Sequence, residues 1–152
     1  MYDNLGIETA WKRYATILVS DAGGRLKPEA APPSDCLQHM LRVLKVIDSQ
    51  VRSLRKRQLI ESFKAGQRTG MYVGIRSQTA DYPLADPLAA DPDVAMKLAA
   101  IPTRLDTIES GLHECLINWG YVICDTGLRA HLQQDAPPGR APYPANSISR
   151  PI

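Results

Sequence analysis

The sequence is poor in aromatic residues and in cysteine, and it contains no long hydrophobic run. It has one Phe and two Trp among 152 residues, so a core must be built mainly from Leu, Ile, Val and Ala. Three cysteines, an odd number, do not form a disulfide framework and suit a reducing compartment. No apolar stretch approaches the ~20 residues of a membrane-spanning helix, and no signal peptide is readable. These absences predict a cytoplasmic protein with one modest core.

Positive charge is concentrated in one part of the chain. The formal net charge is +2, but residues 42–68 hold eight Lys or Arg against two acidic residues. Four of the basic residues would lie on the flank of a long helix: Arg52, Arg55, Lys56 and Arg57. They indicate either a solvated helix face or attraction to an anionic lipid surface, worth about 1 kcal/mol per basic residue. Nucleic acid is not indicated, because no aromatic stacking platform or DNA-binding motif accompanies the charge.

Two segments predict β-strands. Tyr14–Val19 is a continuous apolar run, typical of a parallel strand that helices cover on both faces. Gly70–Arg76 alternates, with Met71, Val73 and Ile75 on one face. A parallel sheet with crossover helices would place the protein in the α/β class.

Capping residues and apolar periodicity predict the helices. Asn4 and Asp91 would begin short helices, and Ser34 a helix of about 30 residues that Gly66 ends. Thr103 and Asp106 form a capping-box pattern before a last long helix. The two long helices carry apolar stripes that we expect to pack on each other or on one sheet. These stripes are Leu37, Met40, Leu44, Ile47, Val51 and Leu54, and Leu105, Ile108, Leu112, Cys115, Trp119 and Val122.

Glycine and proline refine this outline. Gly120 and Gly127 lie seven residues apart on one helix face, which predicts close packing against a neighbouring element. Residues 135–152 contain five prolines and almost no periodic apolar pattern. We therefore predict one domain over residues 1–134 and a disordered tail over 135–152.

The side chains with chemical potential are few. Ser20 and Asp21 follow a strand, where α/β enzymes place their sites, but Ser20 lacks the glycines of a nucleophile elbow. A structural turn is the favoured interpretation of this pair and catalysis the alternative. The histidines and cysteines are too scattered to indicate a metal site. Neither a metal nor another cofactor is expected.

Five blocks of the sequence carry a family resemblance: residues 1–7 (Met-Tyr-Asp-Asn-Leu-Gly-Ile), 8–12, 19–24, 50–57 and 117–121. They resemble the C-terminal part of the patatin-like phospholipases, beginning just after the catalytic Asp-Gly-Gly turn. The resemblance implies part of a three-layer α/β/α sandwich, rich in helix and with two or three strands. In that family a serine, activated by an aspartate, cleaves acyl esters of phospholipids or other lipids without a metal.

The catalytic dyad of that family is not found in these residues. The Gly-x-Ser-x-Gly elbow and the Asp-Gly-Gly turn are both missing from the sequence. The resemblance places Tyr2, Asp3, Asn4 and Gly6 beside the active site as positioning groups. It implies a C-terminal fragment of a lipid acyl hydrolase that is inactive alone and that either pairs with a missing N-terminal half or self-associates. The alternative is a non-catalytic protein of that fold that binds a partner or a lipid surface, peripheral to an anionic membrane.

Overall fold

The protein is described here from a computed structural model that covers residues 5–24, 26–31, 34–102 and 106–149. Within these residues the chain is rich in helix and contains two short strands. In chain order the elements are α1 (Ile7–Arg13), β1 (Thr16–Asp21), α2 (Cys36–Lys64), β2 (Thr69–Gly74), α3 (Pro92–Leu98) and α4 (Ser110–His131). Single 3₁₀ turns lie at Thr79–Asp81 and Pro144–Asn146.

The two strands pair in a parallel sheet with α2 as the crossover between them. The backbone N–H of Thr69 donates to the carbonyl of Ala15 at 3.1 Å, and that of Ile75 to Asp21 at 2.9 Å. The offset between partners is the same at both ends, which only parallel strands allow. The order β1–α2–β2 is therefore a βαβ connection. The predicted α/β class is confirmed.

Contacts divide the chain into two compact units rather than the single predicted domain. Unit 1 consists of Met1–Val19 and Gly24–Thr69, and unit 2 of Ser20–Gly23 and Gly70–Ile152. Each unit is described on its own below.

In unit 1, the ends of α2 are set by local capping. Asp35, not the predicted Ser34, is the N-cap, and its carboxylate accepts a hydrogen bond from the Gln38 N–H at 2.8 Å. Aspartate is as good a cap as serine, and it stands where the carboxylate can reach the third amide of the helix. At the other end Gly66 has φ 64°, the left-handed conformation that a helix C-terminus favours in glycine. The predicted stop at Gly66 is confirmed.

The start of unit 1 is tied to the segment before β2 by Arg68. Its guanidinium lies 4.3 Å from the centroid of the Trp11 ring and donates to the carbonyls of Trp11 and Tyr14. Stacking and hydrogen bonding together satisfy a charge that would otherwise be costly to desolvate. This arrangement fixes the end of α1 where the chain enters β1.

The prediction that β1 is buried on both faces is wrong. Ile17 and Val19 are buried, but Leu18 between them is 54% exposed. Side chains alternate across a strand, so one face of β1 is covered and the other is open. An apolar run shows that a strand can be buried on both faces, but it does not show whether other elements cover both faces.

The stripe predicted to pack α2 into the core lies at the surface instead. Five of its six side chains are 41–59% exposed, and Val51 is half-buried. The fully buried side chain of α2 is Leu59, outside the predicted stripe, together with the nearly buried Ser62. The 3–4 spacing therefore marks a helix with one apolar side, and that side is largely open to solvent.

Unit 2 holds the larger core. Met71 and Val73 of β2 are buried, as their alternation predicts. The core combines β2, α3, α4 and the C-terminal segment: Met71, Val73, Val94, Ala95, Leu98, Cys115, Trp119, Val122, Ile123 and Ile148. The Trp119 indole N–H donates to the Ile75 carbonyl at 2.9 Å, which satisfies the ring's polar atom inside the core. The cap Asp91 and Pro92 begin α3 as predicted.

Helix α4 begins later than predicted. Its N-cap is Glu109, whose carboxylate accepts from the backbone N–H groups of Gly111 and Leu112, each at 2.9 Å. Asp106 instead accepts from the N–H of Thr107, and its predicted partner Thr103 lies outside the described residues, as does Leu105. The buried side chains Cys115, Trp119 and Val122 confirm the later part of the predicted stripe.

The Glu109 cap gives α4 a dependence on pH. Hydrogen bonds from the Gly111 and Leu112 N–H groups lower the pKa of Glu109 below its ordinary value of 4.5. Its stabilising effect is therefore fully present above the unfolded-state pKa and is lost as the pH falls through the lower folded-state pKa. We expect the stability difference between the wild type and Glu109→Gln, from urea titrations, to be constant above about pH 5 and to shrink on acidification. A difference that does not change with pH would contradict this role of the carboxylate.

The two glycines of α4 behave differently, although both were predicted to pack closely. A Cβ at Gly127 would lie 2.8 Å from Met71 Sδ and from Val73 Cγ1. Gly120 is exposed, and a Cβ there meets nothing within 4 Å. The prediction is thus correct for Gly127 and wrong for Gly120. The two glycines share a helix face but lie about 10 Å apart along the axis, and Gly127 is the one that lies against Met71 and Val73 of β2.

A matched pair of alanine variants tests this difference. Gly127→Ala should destabilise by about 1–2 kcal/mol, because overpacking against Val73 outweighs the gain in helix propensity. Gly120→Ala should stabilise by about 0.5–1 kcal/mol, since it gains the same propensity in open space. Urea denaturation monitored by circular dichroism measures both. Equal effects from the two changes would contradict the close approach of α4 to β2 at Gly127.

The structure also differs from the prediction that residues 135–152 form a disordered tail. Asn118, which is fully buried, donates through Nδ2 to the carbonyls of Tyr143 and Asn146 at 2.7 and 2.9 Å, and its Oδ1 accepts from the Tyr143 N–H. Ile148 is 2% exposed within the core. The described part of the tail, residues 135–149, therefore packs within unit 2. A proline-rich segment needs no helix or sheet when a buried amide satisfies its backbone groups.

Candidate functional site

The first candidate site is the polar cluster at the end of β1 in unit 2. The Tyr72 hydroxyl donates to Asp21 Oδ2 at 2.7 Å. The Gly23 N–H donates to Asp21 Oδ1 at 2.8 Å, which closes a turn. The preceding Ser20 is exposed and points to the opposite face of the strand. Both oxygens of the Asp21 carboxylate are thus engaged in holding the turn, which supports the structural interpretation of the Ser20–Asp21 pair.

The same cluster continues along the chain after β2. Ser77 Oγ accepts from the Gly74 N–H at 3.0 Å, and the Tyr82 hydroxyl donates to the Tyr72 carbonyl at 2.9 Å. Burial raises the pKa of Tyr82, so its phenol stays protonated and acts as a donor at neutral pH. These hydrogen bonds fix the backbone after β2. The cluster can orient a neighbouring group, but its geometry does not activate a nucleophile.

The second candidate site is the basic cluster on α2 in unit 1. Arg52 donates to the carbonyl of Gly24, and Arg55 Nη2 lies 3.4 Å from Glu8 Oε2. Lys56 is half-buried, and Arg57 is exposed, with its Nε 3.5 Å from the Ser53 carbonyl of its own helix. The four residues lie within two turns of one helix, but not on one flank as predicted, because Arg57 lies at least about 100° around the helix from each of the other three. Arg52 and Arg55 also hold parts of unit 1 in place. Their contact with an anionic lipid surface stays a prediction.

A groove runs along α2 beside this cluster. It has a volume of about 550 Å³ and is lined by Leu26, Leu41 and Leu44 together with Lys45, Asp48 and Arg52. A mainly apolar groove with a few charged groups has the composition of an amphiphile-binding surface. The sequence periodicity found Leu44 but not the loop residue Leu26, which no local pattern connects to α2.

The cysteines and histidines do not come together. Burial raises the pKa of Cys115 and of Cys124, which keeps both as thiols at neutral pH. The ring of His131 packs edge-on against Tyr82 at 5.9 Å between centroids. Within the part of the chain that the structure describes, no three His, Cys, Asp or Glu side chains form a group that could hold a metal.

Of the four residues that the resemblance placed beside an active site, Gly6 is the one that the structure describes. Tyr2, Asp3 and Asn4 lie outside the described residues. Gly6 is the N-cap of α1 with φ 65°, so any side chain there would be strained. Its observed role is conformational: it lets the chain turn into α1.

No pattern in the sequence predicted the buried ion cluster around Arg129 in unit 2. Arg129 is 4% exposed and donates to the Ala136 and Asp86 carbonyls at 3.0 Å and to the Asp86 carboxylate. Asp125 Oδ2 lies 3.5 Å from its Nη1. The four-residue spacing of Asp125 and Arg129 permits such a pair, but solvated helix faces show the same spacing. This cluster clamps the loop and the tail onto α4.

Comparison with known proteins does not assign the chain to a family. No protein-family model, curated protein or solved structure matches the chain. Among the described residues, no helix is both long and apolar enough to cross a membrane.

Proposed function

We propose that this chain is the C-terminal part of a patatin-like lipid acyl hydrolase domain, which supports the active site without supplying its nucleophile or its catalytic aspartate. The support from the sequence is the set of blocks that resemble that family, above all residues 1–7 and 117–121. The support from the structure is the parallel β1–α2–β2 connection, which belongs to the α/β class.

One observation carries the proposal: β1 looks like an inner strand of a larger sheet. It is apolar at consecutive positions, yet Leu18, which lies on the side opposite Ile17 and Val19, is 54% exposed. Parallel sheets are normally covered on both faces, and a two-stranded sheet alone is marginal in water. A hydrolase sandwich would provide the neighbouring strands and the covering helices. The exposed face of β1 is therefore proposed as the surface that further helices of the sandwich cover, and the edge of β1 away from β2 as the place where further strands pair.

The proposed role of the chain in the reaction is positioning. In a serine–aspartate hydrolase the serine hydroxyl adds to the acyl carbonyl and its proton passes to the aspartate. The alcohol part of the lipid then leaves with that proton. Water, whose proton passes to the aspartate and then to the serine oxygen, releases the acyl group as a carboxylic acid. Residues Tyr2–Gly6 would adjoin that centre. The Glu8–Arg55 ion pair and the contacts of Arg68 with Trp11 would hold the following helix α1 in place.

Sequencing the transcript on the 5′ side of the Met1 codon tests this proposal. We expect an open reading frame that continues upstream, with an Asp-Gly-Gly codon run directly before Met1 and a Gly-x-Ser-x-Gly run further up. A stop codon in frame shortly before Met1, with neither motif upstream, would contradict it. That result would leave the alternative, a non-catalytic protein of the same fold class.

A further inference from the structure

Helix α2 presents an apolar face to solvent. Seven large apolar side chains on this helix are exposed, and we call them the α2 apolar face: Leu37, Met40, Leu41, Val43, Leu44, Ile47 and Leu54. At 100° per residue they occupy an arc of about 160°, and they extend about 25 Å along the axis. Single exposed apolar residues need no explanation, but a contiguous group of this size marks an interaction surface.

Positive charge borders this face. Lys45, Arg52 and Lys56 lie along one edge, and Arg57 lies along the other. Between residues 36 and 60 the single acidic residue is Asp48. Lys45 and Arg57 are the exposed members of the border, whereas Arg52 also donates to the Gly24 carbonyl of unit 1. Asp48 and Arg55 lie within the arc itself, and Arg55 pairs there with Glu8. The surface is therefore mainly apolar, with these two charged groups inside it and further Lys and Arg at its rim.

We infer that the α2 apolar face docks on an anionic lipid surface, with the helix axis parallel to that surface. Amphipathic helices that lie in a membrane interface combine a wide apolar arc with Lys and Arg beside it. The apolar side chains would enter the boundary between headgroups and acyl chains, and Lys45 and Arg57 would stay at the level of the phosphates. This inference does not depend on the hydrolase proposal.

Two other occupants fit the observations less well. A second copy of the chain would bring two basic helices side by side, and like charges repel across such a contact. A single partner helix needs only the narrow seam of a coiled coil, in which apolar residues recur at alternating spacings of three and four. Leu41 and Val43 lie outside that seam and are exposed as well, so the face is wider than a coiled coil requires.

Co-sedimentation with vesicles tests the inference. The probes are vesicles of equal parts phosphatidylcholine and phosphatidylglycerol, and vesicles of phosphatidylcholine alone. We expect the full chain to sediment with the first and not with the second. The triple variant Met40→Gln, Leu44→Gln, Ile47→Gln should bind the anionic vesicles about 10- to 100-fold more weakly, because its apolar contact is removed. Lys45→Gln with Arg57→Gln should weaken binding and reduce its dependence on salt.

The matched control changes the opposite side of the same helix. Ser53→Gln changes an exposed polar residue about 160° around the helix from the middle of the apolar face and should bind like the wild type. Circular dichroism checks that each variant keeps its helices. Wild-type binding by the triple variant, or no sedimentation of the wild type with either vesicle, would overturn the inference. So would a concentration-dependent dimer that the triple change abolishes, because the face would then belong to a second copy.

Discussion

Arg129→Ala should destabilise unit 2 by about 3–5 kcal/mol, the usual cost of removing one partner from a buried ion pair. Arg129 and Asp125 are both nearly inaccessible, with 5% and 11% of their side-chain surfaces exposed. Asp125 Oδ2 is buried without a hydrogen-bond donor. Without Arg129 the Asp125 carboxylate therefore loses its cation and keeps the hydrogen bond from the Gly139 N–H to Oδ1. The change also removes the donors that hold the carbonyls of Asp86 and Ala136.

The measurement is urea denaturation followed by the fluorescence of Trp119, in a background in which Trp11 is replaced by Phe. Asp86→Asn is the matched control, because the Asp86 side chain is 61% exposed and surface ion pairs contribute about 0–1 kcal/mol. A loss below about 1 kcal/mol in Arg129→Ala, within the range of ordinary surface changes, would mean that the cluster does not clamp the unit.

Ile148→Ala should cost about 2–4 kcal/mol, because the variant leaves a cavity where a buried side chain stood. Ile148 is 2% exposed and packs in the core with residues of β2, α3 and α4. The same substitution at Ile108, which is 47% exposed, should change stability by less than about 0.5 kcal/mol. Thermal unfolding of the two variants, compared with the wild type, measures the difference. Equal melting temperatures for Ile148→Ala and Ile108→Ala would mean that the tail does not pack, as the sequence composition predicts.

Capping and alternation could be predicted from the sequence because they are local. The caps at Asp91 and Gly66 depend on residues within one helical turn, and the alternation of β2 depends on neighbours two positions apart. The start of α4 was predicted incorrectly because two local capping patterns competed. Glutamate is an uncommon N-cap, and the Thr103–Asp106 pattern offered a more typical one.

Long-range partners could not be predicted. The stripe of α2 shows which side of the helix is apolar, but periodicity does not say whether another element covers it. The tail shows the opposite case, since its prolines predict disorder while Asn118, at a distance of 25 residues or more, supplies hydrogen bonds to its backbone. In each case the deciding contact joins residues that are distant in sequence.

The candidate sites also combine local features, which could be predicted, with long-range contacts, which could not. The turn at Asp21 was the favoured interpretation because Ser20 lacks the flanking glycines of a nucleophile elbow. The second partner of Asp21, Tyr72, is 51 residues away, and no pattern in the sequence links the two. The basic cluster was found from composition, but the Glu8–Arg55 pair that engages part of it depends on how α1 and α2 pack within unit 1.

Hydrolysis of a short acyl ester, such as p-nitrophenyl butyrate, by the purified chain tests the central claim most directly. The claim is that these residues support a lipid acyl hydrolase site without holding its nucleophile. Removing a catalytic serine typically lowers turnover by a factor of ~10⁶. We therefore predict no activity above background, with the same result for Ser20→Ala and for Asp21→Ala. Turnover that scales with protein concentration and disappears in either variant, while their circular dichroism stays that of the wild type, would contradict the claim and make the strand-end turn the active site.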